Sequence, residues 1–224
     1  MGIKITNATG DRPTLWLYGT IGADFGEITA DNVRLALSEI PVRQNFDVRI
    51  YSDGGSFDEA MAIHSLLSSR AKKTHAIVDG LAASAASLLL QSSGERTMAQ
   101  HSRQMIHQAH GRTTNFMAAS EFRAAADQLD AINREITSIY AKRWKGSVED
   151  LDAALGKDTW LDAEESVASG LADNVGDSMA IAARVNQDIF AYANVPDDVI
   201  LASGPYIPPW KAQMHEKYAA AFGS

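Results

Sequence analysis

Three features of this chain could combine into one catalytic device. Ser84 stands in the small-residue run Gly80-Leu81-Ala82-Ala83-Ser84-Ala85-Ala86-Ser87. His107 follows the apolar pair Met105-Ile106, and Ser52-Asp53-Gly54-Gly55 closes a strand-like stretch. Serine hydrolysis needs a nucleophile, a base to take its proton and a carboxylate to orient that base. It also needs backbone N–H donors aimed at the developing oxyanion, and a Gly-Gly turn is suited to supply one. A serine at a helix N-terminus has free amides and the positive end of the helix dipole beside it. Composition alone does not single out Ser84, because serines among alanines also suit close helix packing. Ser87 is the rival nucleophile, although one turn into a helix its hydroxyl can bond the carbonyl four residues back. His101, His107 and His110 lie close together and raise the alternative of a metal site. With no cysteine and no acidic pair in register with them, no metal is assigned.

The elements that must hold these groups alternate between strand and helix. Thr14–Tyr18 reads as a strand, and Thr29 opens an amphipathic helix carrying Val33, Leu35, Leu37 and Ile40. Asp47–Tyr51 is a second strand running into the Gly-Gly turn. Ser56 then caps a helix with buried positions Ala60, Ile63 and Leu67, and Glu59 completes a capping box. Thr74–Val78 is a strand ending at Asp79-Gly80, and Leu81–Leu90 is expected to be a buried helix. Gln104–His107 looks like a strand edge. Phe116–Trp144 carries Phe122, Leu129, Ile132, Ile136 and Ile139 at helical spacing, with Gly146 able to end it. That is more apolar surface than one helix needs, which favours a packing partner. Asp162 with Glu165 makes another capping box before a short helix ending near Gly170. The alternation gives an α/β domain over roughly residues 10–185. After Phe190 the character changes: Val195-Pro196, Gly204-Pro205 and Pro208-Pro209 punctuate a tail in which Trp210–Phe222 could form a short amphipathic helix. The division expected is a domain over 1–190 and a proline-containing tail over 191–224, either draped on the surface or binding a subunit or partner.

Bulk properties narrow the classes. The chain has 224 residues, 46% of them hydrophobic and 21% charged, a globular balance. A net charge of −8 argues against a nucleic-acid binder. The absence of cysteine removes disulfides and thiol nucleophiles. The longest apolar run, Gly80 to Leu90, is too short to span a bilayer, and the opening MGIKITNATGDRP has no hydrophobic signal core. The expectation is a soluble, non-exported protein with no membrane partner.

Four stretches carry a resemblance to a known family. YSDGGS (51–56), DGLAASAASLLL (79–90), RQMIHQAHG (103–111) and DTWLDAEESVASGLADNV (158–175) resemble, in order and separation, the marker stretches of the Clp protease proteolytic subunit. The repeated AASAAS and the long helix after the histidine block look most like the phage and prophage branch, the Clp-related head maturation proteases. The resemblance implies the Clp protease/crotonase-like ββα spiral. It implies Ser84 as nucleophile, His107 as general base and Asp158 as orienting acid, with the amides of Gly55 and Ala85 as oxyanion donors. Asp158 alone would read as a charge before Trp160; Asp162 is the weaker acid candidate, and Asp173 a structural residue near the sheet edge. The housekeeping subunits of the family usually have proline where Asp53 stands and methionine-glycine where Ala85-Ala86 stands. Asp53 could hold the turn through an Asx-type hydrogen bond, and Ala85 donates its amide as well as methionine would.

The function implied is a serine endopeptidase working in an oligomeric ring, in the family usually stacked face to face through the long helix, here Phe116–Trp144, with no cofactor. In the head maturation branch its substrates are scaffold, portal or capsid precursors, in the host cytoplasm or the immature capsid. No Gly-x-x-x-x-Gly-Lys-Ser/Thr motif is present, so any ATPase is a separate chain. The alternatives are the proteolytic subunit of an ATP-dependent cellular Clp protease, a crotonase-like acyl-CoA enzyme, and an assembly-only ring.

Overall fold

The chain is described by a computed structural model over residues 3–8, 10–23, 28–111, 113 and 116–177, all within the unit Met1–Ile181. The expected tail over 191–224 lies outside the described residues. The elements run β1 (Ile3–Thr6), β2 (Thr14–Tyr18), α1 (Ala30–Ser38), β3 (Phe46–Ser52), α2 (Phe57–Ser68), β4 (Thr74–Ala83), α3 (Ala85–Gln91) and β5 (Glu95–Ala99). They continue with β6 (Arg103–Ile106), α4 (Ala119–Ala141), α5 (Val148–Leu155), β7 (Thr159–Leu161), α6 (Ala163–Ala168) and β8 (Asn174–Gly176).

Strands β2, β3, β4, β5 and β8 lie side by side in parallel, with β1 antiparallel on the edge of β2. Strand β4 is the hinge of the architecture. Its first half pairs with β5, from His75↔Glu95 to Val78↔Met98, and its second half pairs with β6, from Leu81↔Arg103 to Ala83↔Met105. The change falls at Asp79-Gly80, and the β3–β4 register shifts between Ile50 and Ser52 to accommodate it. Strand β7 adds antiparallel to β6. This mixed α/β architecture is the expected ββα spiral.

The burial follows the sequence pattern. Leu15 and Leu17 on β2, Val48 and Ile50 on β3, and Ala76 and Val78 on β4 are buried by α1, α2 and α3 through Val33, Leu37, Ala60, Ile63, Leu67, Leu89 and Leu90. A second apolar cluster joins Leu88, Ile106 and Leu161 to Ile136, Ile139 and Tyr140 of α4 and to Leu151 and Leu155 of α5. Among the described residues only the C-terminal half of α4 is packed in this way; Phe122, in its first turn, is exposed.

Several expectations need correction. The helix expected over Leu81–Leu90 begins at Ala85, because Leu81-Ala82-Ala83 extend β4 to meet β6. Strand β6 stops at Ile106, leaving His107 just beyond it. Helix α4 ends at Ala141 rather than near Gly146. Leu35 is exposed on α1 rather than part of its apolar stripe. Ser56 caps α2 as expected, but the Glu59 carboxylate turns away from the box to accept from the Ala30 amide at 2.6 Å, tying α2 to the start of α1. Strands β1, β5, β7 and β8 and helix α5 are elements not expected from the sequence.

Candidate active site

Three neighbouring strand ends build the site. Ala83 of β4 pairs with Met105 of β6, so Ser84 and His107 leave adjacent strands side by side, and the Ser84 amide donates to the Met105 carbonyl at 2.9 Å. Because β7 is antiparallel to β6, with Ile106↔Thr159, the residue that enters β7 lies beside the residue that leaves β6. That residue is Asp158. The result is a line of three side chains: Ser84 Oγ is 2.7 Å from His107 Nε2, and His107 Nδ1 is 3.3 Å from Asp158 Oδ1. His107 and Asp158 are both buried. Residues distant in sequence thus meet because parallel and antiparallel neighbours present opposite termini at the same edge.

The Gly-Gly turn sits against the serine. A methyl group on Gly54 would lie 2.8 Å from Ser84 Cβ and 2.7 Å from the Ala83 carbonyl oxygen, and one on Gly55 would lie 2.0 Å from the Ile21 carbonyl oxygen. Both glycines have positive φ, +96° and +137°, so close approach and backbone conformation each exclude a side chain. The Ile21 amide donates to the Gly54 carbonyl at 2.7 Å, and the Ser56 amide donates to the Ile21 carbonyl at 2.9 Å. A trans peptide holds its N–H opposite its C=O, so the Gly55 amide points away from Ile21. Ala85 is the first residue of α3, where opening amides have no intrahelical acceptor. Ser52 also ties the turn, its Oγ accepting from the Gly54 amide at 3.1 Å, while the Asp53 carboxylate accepts from the Thr20 hydroxyl at 3.1 Å and from its own backbone amide. Ser52 and Thr20 are support residues that sequence reasoning missed. Ser52 had a local signal in its turn position, whereas Thr20 meets Asp53 only through the fold.

The electrostatics favour a neutral base. Burial, with the neighbouring His110 ring, pulls the His107 pKa down to about 4 despite the opposing pull of Asp158. Burial pushes the Asp53 carboxyl up to about 6, against the Thr20 hydrogen bond.

The remaining candidates fall elsewhere. Ser87 is fully buried; its hydroxyl donates to the Ser84 carbonyl at 2.6 Å, three residues back rather than the four expected, and meets the Tyr140 hydroxyl. Asp162 accepts from the Glu165 amide at 2.8 Å and caps α6. Asp173 pairs with the buried Arg96 at 2.6 Å beside the edge strand β8. His101 is exposed in the turn before β6, whereas His110 lays its ring edge-on against His107, centroids 4.7 Å apart.

A buried histidine between a serine hydroxyl and a carboxylate, beside a glycine turn, is the arrangement of a serine-type peptidase. The comparisons narrow this further. The model of the Clp protease family matches residues 17–179, and the chain belongs to that family. It is 30% identical over 160 residues to the ATP-dependent Clp protease proteolytic subunit 1 of Thermobifida fusca, covering 69% of this chain and 72% of that one. It is 28% identical to the ATP-dependent Clp protease proteolytic subunit of Bacteroides fragilis, over 69% and 76%. Subunit 2 of Mycolicibacterium paratuberculosis is 25% identical over 182 residues, 78% and 89% of the two chains. All three are bacterial subunits named as ATP-dependent; none is a phage protein. Among the described residues no helix is long and apolar enough to cross a membrane.

Proposed function

We propose that the chain is a serine endopeptidase subunit in which Ser84 is the nucleophile, His107 the general base and acid, and Asp158 the group that orients His107. The observation that carries this reading is the 2.7 Å contact between Ser84 Oγ and His107 Nε2, with Asp158 Oδ1 3.3 Å from Nδ1. His107 takes the proton of Ser84 as its oxygen attacks the scissile carbonyl. The Gly55 and Ala85 amides hold the tetrahedral oxyanion, His107 protonates the leaving amine, and water then releases the acyl group by the same steps reversed. A base already neutral at pH 7 is ready for the first of these transfers. Crotonase-like chemistry has no use for a serine–histidine pair, so this arrangement favours the peptidase.

The subunit acts in a ring of copies of itself, with the N-terminal half of α4 as contact surface; the exposure of Phe122 supports this. The names of these relatives favour work with a separate ATPase partner, which the chemistry above does not require, over the processing of scaffold or capsid precursors. Only the AASAAS repeat and the long helix after the histidine block support that second reading. Degradation assays separate them. The expected result is serine-dependent cleavage of short peptides by the isolated protein, lost in Ser84→Ala, with a folded protein degraded only when a Clp-type ATPase and ATP are added. Efficient cleavage of a scaffold or capsid precursor without any ATPase would favour the second reading, and peptide cleavage surviving in Ser84→Ala would overturn both.

A further inference from the structure

One side chain at the site has no part in the chemistry above. His110 is exposed, packs against His107, and with Asp158 completes a group in which each residue offers a potential metal ligand atom, no two more than 4.8 Å apart. Two imidazoles and a carboxylate are a donor set for zinc and neighbouring divalent transition ions, and three protein ligands leave a fourth position for water. Magnesium and calcium, which seek oxygen ligands, fit this set poorly. With metal–ligand bonds near 2.0–2.1 Å, the ligand atoms of a tetrahedral site stand about 3.3 Å apart. His107 Nδ1 and Asp158 Oδ1 already have that separation, 3.3 Å, and both side chains are buried where β6 and β7 hold them. His110 is the exposed member and the one free to close the remaining distance, about 1.5 Å at most for a tetrahedral ion.

We infer that His107, His110 and Asp158 form an inhibitory site for a divalent transition-metal ion, zinc above all, that switches the peptidase off by capturing its base. The inhibitory half of this inference rests on the proposed role of the Ser84–His107 pair. A neutral imidazole carries one proton. For Nε2 to accept from Ser84, that proton must sit on Nδ1, facing Asp158. An ion on Nδ1 displaces it, and the neutral ring then carries its proton on Nε2, which donates to Ser84 Oγ instead of accepting from it. An ion on Nε2 occupies the accepting lone pair directly. Either way the ring gains and loses no electrons, the proton count of the neutral ring is unchanged, and the base is lost until the ion leaves.

The test separates binding from inhibition. In full-length Ser84→Ala protein, which keeps all three ligands and has no serine chemistry, zinc titration calorimetry and the visible absorption of bound cobalt(II) are expected to report one site per chain. Adding His110→Ala is expected to weaken that site at least tenfold. No binding up to millimolar zinc, or binding indifferent to His110→Ala and to Asp158→Asn, overturns the site. In wild-type protein, labelling by a fluorophosphonate is expected to slow at least tenfold with zinc and recover with EDTA. In His110→Ala, measured against that variant's own metal-free rate, the zinc effect is expected to shrink at least tenfold. Zinc that occupies the site and leaves labelling unchanged overturns the switch. Absence of labelling without metal would instead count against the serine peptidase reading, while the cobalt spectrum still decides the site.

Discussion

Ser84 and Asp158, the two side chains that flank His107, both have a positive φ, which side chains avoid: +54° at Ser84 and +52° at Asp158, two of the three non-glycine residues with positive φ among the described residues. Each is a single residue turning out of or into a strand, Ser84 where β4 gives way to α3 and Asp158 where the chain enters β7. The conformation aims both side chains at His107. Holding a non-glycine residue in such a region costs about 1–3 kcal/mol, supplied here by the β4–β6–β7 pairing. Glycine relieves that strain. Ser84→Gly is therefore expected to be more stable than Ser84→Ala by about 1 kcal/mol in denaturant unfolding, although both lose peptidase activity. Equal stability, or a less stable glycine variant, would contradict the strain.

The depressed pKa of His107 sets a pH profile. Its folded value near 4 lies below the ordinary histidine value of about 6.5, so the base stays deprotonated through mildly acidic pH. The acid limb of kcat/KM for a fluorogenic peptide, measured with EDTA present, is expected to inflect below pH 6.5, and an inflection at or above that value would contradict the buried environment. The linkage has the matching sign. As pH falls from about 6.5 toward 4 the unfolded chain takes up this proton before the folded one does, so His107 subtracts stability across that window.

Asp53 works in the opposite sense. Its folded pKa, about 6, lies above the ordinary aspartate value of about 3.9, so the folded state loses stability as pH rises between them. Asp53→Asn keeps an acceptor for Thr20 and carries no charge to bury. It is expected to be more stable than wild type at pH 7–8, by on the order of 2 kcal/mol, with the gain vanishing below about pH 4. Denaturant titrations at the two pH values check this, and a gain independent of pH would assign the effect to something other than ionisation.

Helix α4 offers a test of assembly. Phe122 is 53% exposed, and among the described residues apolar packing reaches only the far half of the helix. Phe122→Glu is expected to shift sedimentation velocity toward smaller species while leaving the far-UV circular dichroism spectrum unchanged, because an exposed side chain has little intramolecular packing to lose. An unaltered sedimentation profile would remove this part of α4 from the ring contact.

The sequence was most informative where local chemistry and tertiary packing agree. Thr29, Ser56 and Asp162 each cap a helix, and Val33, Leu37, Ala60, Ile63 and Leu67 are buried at helical spacing. Legibility failed where pairing overrides local preference. Leu81-Ala82-Ala83 read as helix because alanine favours helix, yet β6 draws them into β4. Strands β7 and β8 are three residues each, too short for a periodic signal, and exist through their neighbours. Helix α5 has a local signal in its Ser147–Asp150 capping box, although its eight residues are too few for a strong periodic pattern. The site was named by motif resemblance. No spacing in the chain reveals that the end of β6 and the start of β7 face each other, which follows only from the antiparallel pairing of Ile106 with Thr159.

The most direct test of an activated Ser84 is intact-mass analysis after fluorophosphonate treatment in EDTA, comparing wild type, Ser84→Ala and Ser87→Ala. The arrangement of Ser84, His107 and Asp158 calls for a single adduct on wild type, none on Ser84→Ala, and one on Ser87→Ala if that buried substitution leaves the protein folded. An adduct that persists on Ser84→Ala, or no adduct on folded, assembled wild type, would contradict it.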